Sequence, residues 1–457
     1  MAKKLGIILL ILIVLLLSVM AFFSFIYKGD RSAMADSAVT TRDNALVSRG
    51  EYLARAGDCV ACHTAPDGQT FAGGLGIASP VGTIYSTNIT PDKQSGIGEY
   101  TLRDFDNAVR FGVRKDGTSM YPAMPFPSFA VVTEQDVEAL YAYFMQDVQP
   151  VSMDNKATDI PWPFSMRWPL AAWRMMFAPE VKPFALMPGE DPSIARGAYL
   201  VQGLGHCGSC HTPRSTRTLN EEAYTDEDND VYLSGGHSPI DGWIPFNLRG
   251  DHLTGLGDMP EDELFEVLKT GRSARSAVFG GMADVVNHSL QFLNDDDLRA
   301  IARYLKTLPP VDANSRSFEY DPTIARELYR GETQVRGARI YIDNCAACHR
   351  TDGHGYDRVF PALAGNPVIH SENPASLINL VLKGHTLHGT QHAVSSFTMP
   401  GFAWRLSDEE IADLVSFIRT SWGNQAEPVE ASSVRKFRDE MPSADRQAKQ
   451  QQENKPR

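Results

Sequence analysis

The sequence predicts an all-α protein: three tandem helical domains behind one N-terminal transmembrane helix. Three observations predict it. A charge-free run of 23 residues, Leu5 to Tyr27, stands near the start of the chain. One sequence pattern then occurs three times, each time opening and closing in a stretch of helical periodicity. At 457 residues and 43% hydrophobic composition, the chain has length and apolar content for about three ordinary domains.

The first element is the apolar run. As a helix it extends roughly 34 Å at about 1.5 Å per residue, enough to cross a bilayer. Unbroken Leu, Ile and Val on every face argues against a core helix, which shows one apolar stripe. Residues 1–35 are therefore read as a membrane anchor, with Lys3 and Lys4 inside and the bulk of the chain exported. Ala33-Met34-Ala35 has the small-x-small form of a cleavage site, so a removed signal segment is the alternative. Both readings export the protein. The net charge of −13, spread along the chain, would be repelled by phosphates and argues against nucleic acid as a partner.

The repeats supply the remaining elements. The openings are Arg49-Gly50-Glu51-Tyr52-Leu53, Arg196-Gly197-Ala198-Tyr199-Leu200 and Arg336-Gly337-Ala338-Arg339-Ile340. Each runs into a Cys-x-x-Cys-His site: Cys59, Cys62 and His63; Cys207, Cys210 and His211; Cys345, Cys348 and His349. The cysteine pairs start 148 and then 138 residues apart, a spacing for small domains rather than a solenoid. Each repeat closes on a helix introduced by Thr133, Asn294 or Ser407, good N-caps followed by acids that meet the helix dipole. Domains are expected at 43–148, 193–309 and 331–424, joined by a Pro/Trp-rich linker at 149–192 and a second linker at 310–330. Trp162, Trp168 and Trp173 in the first linker suit an inter-domain strap, a membrane-interface contact or a partner-subunit contact. Residues 425–457 are polar and charged and are expected to be disordered.

Cys-x-x-Cys-His is the attachment signature of haem c. In an exported chain each cysteine can form a thioether to the porphyrin, and the adjacent histidine supplies the proximal nitrogen. One match is a moderate signal; three matches that consume all six cysteines are a strong one. Zinc sites built from cysteine pairs use them two at a time and would leave one pair over. A thioredoxin-like motif needs a preceding strand, whereas these flanks read as helical. Three haems c are therefore expected. A methionine recurs between each haem motif and its closing helix: Met124 in Tyr121-Pro122-Ala123-Met124-Pro125, Met282 after Phe279-Gly280-Gly281, and Met399 in Phe397-Thr398-Met399-Pro400. Recurrence at one place in Pro/Gly-rich loops marks them as the sixth iron ligands, with Met120 and Met259 as rivals. His206, His354, His385, His388 and His392 read as surface or core residues, with bis-histidine ligation in the third domain as the alternative. No catalytic set of nucleophile, base and acid emerges.

With these motifs in place, the chain resembles the triple-haem cytochrome c subunits of bacterial membrane-bound dehydrogenases. The three haem sites, Tyr121-Pro122-Ala123-Met124-Pro125, Gly82-Thr83-Ile84-Tyr85-Ser86-Thr87-Asn88-Ile89-Thr90 and Arg167-Trp168-Pro169-Leu170 carry the resemblance, which covers about residues 45–425. It implies three cytochrome c-like domains and a separate catalytic subunit of quinoprotein, flavoprotein or molybdenum type. That subunit would oxidise an alcohol, aldehyde or sugar acid in the periplasm, and electrons would pass through the haems to ubiquinone in the bacterial inner membrane. Many members of the family carry a cleaved signal, and the long N-terminal run departs from that pattern. The expected function is thus electron transfer rather than catalysis by this chain alone. The alternatives are a cytochrome c subunit of a respiratory oxidase or quinol-oxidising complex, and a haem peroxidase.

Overall fold

The computed structural model describes residues 2–26, 31–37, 42–237, 242–332 and 334–441. Helix α1 spans Ala2–Ile26. Its segment Lys4–Phe22 has a mean hydropathy of 3.2 and no buried residue. That pairing of length and exposure suits a bilayer and not water.

The chain forms two compact units. The first comprises Met1–Pro188 with Tyr199–Ser209 and Ser215–Asn220, and the second Gly189–Ala198 with Cys210–Arg214 and Glu221–Arg457. After α1, the first unit contains α2 (Asn44–Ala56), the hairpin of β1 (Gly76–Ser79) and β2 (Gly82–Tyr85), α3 (Leu102–Val109), α4 (Glu134–Gln146) and α5 (Trp168–Phe177). Helix α6 (Pro192–Tyr199) leads into the second unit, with α7 (Glu261–Thr270), α8 (Gly281–His288), α9 (Asp295–Thr307), α10 (Arg336–Asn344) and α11 (Ala375–Lys383). A hairpin of β3 (Gly384–Leu387) and β4 (Phe397–Pro400) precedes α12 (Asp408–Thr420) and α13 (Ala431–Asp439).

One helix crossing is built three times. In each, the Arg-Gly opening meets the closing helix backbone to backbone. A Cβ placed on Gly50 would lie 1.9 Å from the Ala139 carbonyl oxygen, on Gly197 2.0 Å from that of Ala300, and on Gly337 2.3 Å from that of Asp413. Only glycine allows this approach, so the helices α2 and α4, α6 and α9, and α10 and α12 sit closer than ordinary side chains permit. The preceding arginine reaches the acid at the third position of the closing helix each time. Arg49 Nε lies 2.7 Å from Asp136, Arg196 Nε 2.8 Å from Asp297, and Arg336 Nη2 3.3 Å from Glu410. These arginines are one-third to one-half exposed or more, so each pair contributes about 1 kcal/mol or less. Shape, not charge, sets the crossing. The same acids donate their backbone N–H to the expected caps: the Thr133, Asn294 and Ser407 side-chain oxygens accept from Asp136, Asp297 and Glu410.

Four features depart from the expected layout. Two short hairpins interrupt the all-α pattern; β1 and β2 pair Ile77 with Ile84, and β3 and β4 pair His385 with Met399. Strands of four residues are too short to show an alternation in sequence. The Pro/Trp-rich linker holds a helix, α5. The tail expected to be disordered from residue 425 holds α13, where Val434 is fully buried and Arg438 binds Asp408; residues 442–457 lie outside the described residues. The three repeats are distributed over two units: the second repeat contributes Tyr199–Ser209 and Ser215–Asn220 to the first, and its remainder shares packing with the third repeat in the second. Leu387 of β3 joins Val278, Ala283 and Val286 in one apolar cluster, and the Ile244 N–H donates to Ser376 Oγ at 2.8 Å.

Candidate haem-binding sites

Each Cys-x-x-Cys-His segment follows its opening helix directly. The first cysteine of a pair is always less exposed than the second: Cys59 and Cys207 are half-buried and Cys345 buried, while Cys62 and Cys210 are exposed and Cys348 half-buried. None of the six forms a disulfide. Burial pushes the Cys59 and Cys345 thiols up to about 12, so both are neutral thiols. Among the described residues no group of three or more His, Cys, Asp or Glu side chains is placed to hold a metal ion. The zinc reading therefore has no ligand set.

The histidines share one geometry. His63 Nδ1 lies 2.7 Å from the Thr87 carbonyl oxygen, His211 Nδ1 2.8 Å from that of Phe246, and His349 Nδ1 2.9 Å from that of Pro361. A carbonyl only accepts, so Nδ1 carries the proton in each ring. Desolvation holds all three imidazoles below the ordinary histidine value, which keeps them neutral. The lone pair is then on Nε2, where a haem iron takes its proximal ligand. A main-chain carbonyl behind a ligating imidazole fixes both tautomer and ring orientation. The residues present fit haem on this ground, three times over.

A glycine completes each arrangement, and sequence reading overlooked it. Gly73, Gly235 and Gly355 donate their N–H to the carbonyl of His63, His211 and His349 at 2.7, 2.7 and 3.2 Å. All three have positive φ, and a Cβ on them would strike Thr87, crowd Phe246 and Asn247, or strike Phe360 and Pro361. Each glycine therefore lies against the loop whose carbonyl orients the histidine. The Gly82–Thr90 segment, singled out above, delivers the Thr87 carbonyl to His63. A sequence signal exists in the glycines that follow each motif, but their distance from the histidine varies from 6 to 24 residues.

The methionines fall in the same units as their expected partners: Met124 with His63 in the first, and Met282 and Met399 with His211 and His349 in the second. All three are half-buried, as are the rivals Met120 and Met259. Met124 follows Tyr121, whose hydroxyl donates to the Phe164 carbonyl at 3.4 Å and whose ring lies 4.1 Å from the Arg167 guanidinium. Met282 packs on the cluster that contains Leu387. Met399 stands opposite His385 in the β3–β4 hairpin, so both side chains leave the same face. Met399 packs on the core of the third repeat, built from Tyr341, Ile378, Leu414 and Trp422 among others. His385 instead meets the Trp243 ring edge-on at 6.4 Å, and its buried Nε2 has no hydrogen-bond partner. His206 is half-buried and packs edge-on against Phe129 at 5.8 Å.

Residues 334–422 match the cytochrome c family. The gluconate 2-dehydrogenase cytochrome c subunit of Pantoea cypripedii is 56% identical over 396 residues, 86% of this chain and 89% of its own. The cytochrome c subunit of the quinone alcohol dehydrogenase of Gluconacetobacter polyoxogenes is 56% identical over 399 residues, 87% of this chain and 85% of its own. The fructose dehydrogenase cytochrome subunit of Gluconobacter japonicus is 38% identical over 409 residues, 86% of this chain and 82% of its own.

Proposed function

Because the chain belongs to the family of dehydrogenase cytochrome c subunits, we propose that it is the electron-transfer subunit of a periplasmic membrane-bound dehydrogenase complex. It takes electrons from a catalytic subunit that oxidises an alcohol, aldehyde or sugar acid and delivers them to ubiquinone. Three cytochrome c domains, one per helix crossing, each hold one haem c. Cys59 and Cys62, Cys207 and Cys210, and Cys345 and Cys348 would attach the porphyrins; His63, His211 and His349 would supply an iron nitrogen ligand, and Met124, Met282 and Met399 a sulfur ligand. Helix α1 anchors the chain in the bacterial inner membrane, with the domains on the periplasmic side.

The observation that carries this reading is the threefold histidine geometry, in which Thr87, Phe246 and Pro361 each hold an Nδ1–H and leave Nε2 free. Bound there, haem supplies a one-electron ferric/ferrous couple whose potential rises with methionine ligation. The chain's own residues do the rest. The carbonyl contacts hold each imidazole still, so little reorganisation accompanies a change of charge. The helix crossings keep the cysteine segments in register with the closing helices. Met124, Met282 and Met399, as ligands to a bound iron, would exclude dioxygen and peroxide and so confine the chain to electron transfer.

Iron analysis and the pyridine haemochrome of acid-acetone-washed protein should give three haems per chain. Porphyrin released by that wash, or iron well below three per chain, would overturn the proposal. With the co-purified catalytic subunit, substrate should reduce a soluble ubiquinone analogue only when this chain is present.

A further inference from the structure

Helix α5 has its polarity turned outside in. Its one charged side chain, Arg174, is buried, and the guanidinium donates to the Phe111 carbonyl at 3.1 Å. Trp173 also turns inward, its Nε1 donating to the Thr218 carbonyl at 2.6 Å and its ring against Phe126. The outward positions are Met175 and Met176, 44% and 61% exposed. A helix facing water shows the opposite arrangement. The flanks continue the apolar face: Trp162 is 78% exposed, Phe164 59% and Leu186 53%. Single exposed apolar residues are ordinary, but five within 25 residues of one segment are a concentration of apolar exposure.

Two further facts choose the occupant. Helix α5 packs against α1, the helix with the length and hydropathy to span a bilayer. A segment that touches a membrane-spanning helix meets the same lipid. Apart from the buried Arg174, residues 160–188 also carry two accessible basic side chains, Arg167 and Lys182, against one acid, Glu180, in a chain of net charge −13. A locally basic segment with exposed tryptophan suits anionic headgroups and the interfacial layer.

We propose that the outward face of α5, together with the Trp162–Phe164 turn, lies in the interfacial layer of the bilayer that α1 crosses. It is a second lipid contact, parallel to the surface, with the apolar side chains about 5–10 Å into the headgroup boundary. The reading rests on α1 being a retained anchor. The contact fixes the orientation of the first unit on the membrane, which a single spanning helix leaves free to swivel.

The test uses the full haem-loaded chain in vesicles of phosphatidylcholine and phosphatidylglycerol. With the six native cysteines in thioethers, a thiol introduced by Met176→Cys is the one available for an environment-sensitive fluorophore. Trp162→Cys provides an independent position in a turn, and Lys93→Cys, exposed in a loop of the same unit, serves as the aqueous control. The haem spectrum verifies that each variant has folded. The labels at 176 and 162 should be quenched several-fold more by nitroxide-bearing lipid tails than by aqueous iodide, with the reverse at 93. Labels at 176 and 162 that iodide reaches as readily as the control would overturn the proposal. Labels shielded from both quenchers would overturn it too, by showing that protein, from this chain or a second copy of it, covers the face. A chain that fails to enter the vesicles at all would overturn the anchor reading and this face together; one that enters with both labels in water overturns the face alone.

Discussion

At the scale of single residues, the informative atoms are main-chain carbonyls. Thr87, Phe246 and Pro361 have nothing in common as side chains, yet each presents a carbonyl oxygen to a histidine Nδ1. That is why the cysteines and histidines were legible in the sequence and their orienting partners were not: a carbonyl carries no residue identity. The methionines were legible by recurrence alone, and the hairpin adds a physical contrast between two side chains on one face. Met399 packs on the core of its own repeat, whereas His385 is aimed at Trp243. Met399→Ala should leave the third haem attached but let its ferrous form bind carbon monoxide, seen as a new difference spectrum. His385→Leu should leave that haem closed to carbon monoxide and cost little stability, since the buried Nε2 gives up no hydrogen bond. An opened haem in the histidine variant would assign bis-histidine ligation instead.

At the scale of elements, the closing helices read clearly because Thr133, Asn294 and Ser407 each combine a cap with a first-turn acid. Helix α13 did not, because polar residues dominate the tail and only Val434 and Phe437 betray an apolar stripe. Its contribution is measurable. Ending the chain after Asn424 removes the burial of Val434 and the Arg438–Asp408 pair, and should destabilise the third repeat by about 2 kcal/mol. Guanidinium unfolding followed at the haem band measures the loss. The helix crossing makes a sharper case. Gly337→Ala would gain about 1 kcal/mol of helix propensity, but its Cβ would lie 2.3 Å from the Asp413 carbonyl oxygen. Forcing the backbones apart costs about 3 kcal/mol or more. The net effect should be loss of the third haem from the expressed protein, counted by the pyridine haemochrome, with the other two retained.

At the scale of the whole molecule, three sequence repeats do not make three equal partners. The first repeat belongs to one compact unit, while the second and third share the cluster of Val278, Ala283, Val286 and Leu387. Calorimetry of the haem-loaded chain should therefore resolve two unfolding transitions rather than three. Leu387→Ala should broaden or split the one that belongs to the second unit, with a cost of about 2–4 kcal/mol. This coupling was invisible in the sequence, where all three repeats have similar motifs and spacing. Nothing in Leu387 itself announces that its neighbours come from a segment about one hundred residues upstream.

The glycine crossing has a consequence for how such a chain can change. From Gly50 to Ala139 the clasp encloses 89 residues, from Gly197 to Ala300 it encloses 103, and from Gly337 to Asp413 only 76. By loop-closure entropy the longest and shortest differ by about 0.3 kcal/mol, far less than the clasp itself is worth. Length changes between the two helices, outside the segments that orient the histidines, thus carry little closure cost. Variation that adapts the protein to a new electron donor can accumulate there while the frame around the iron stays constant.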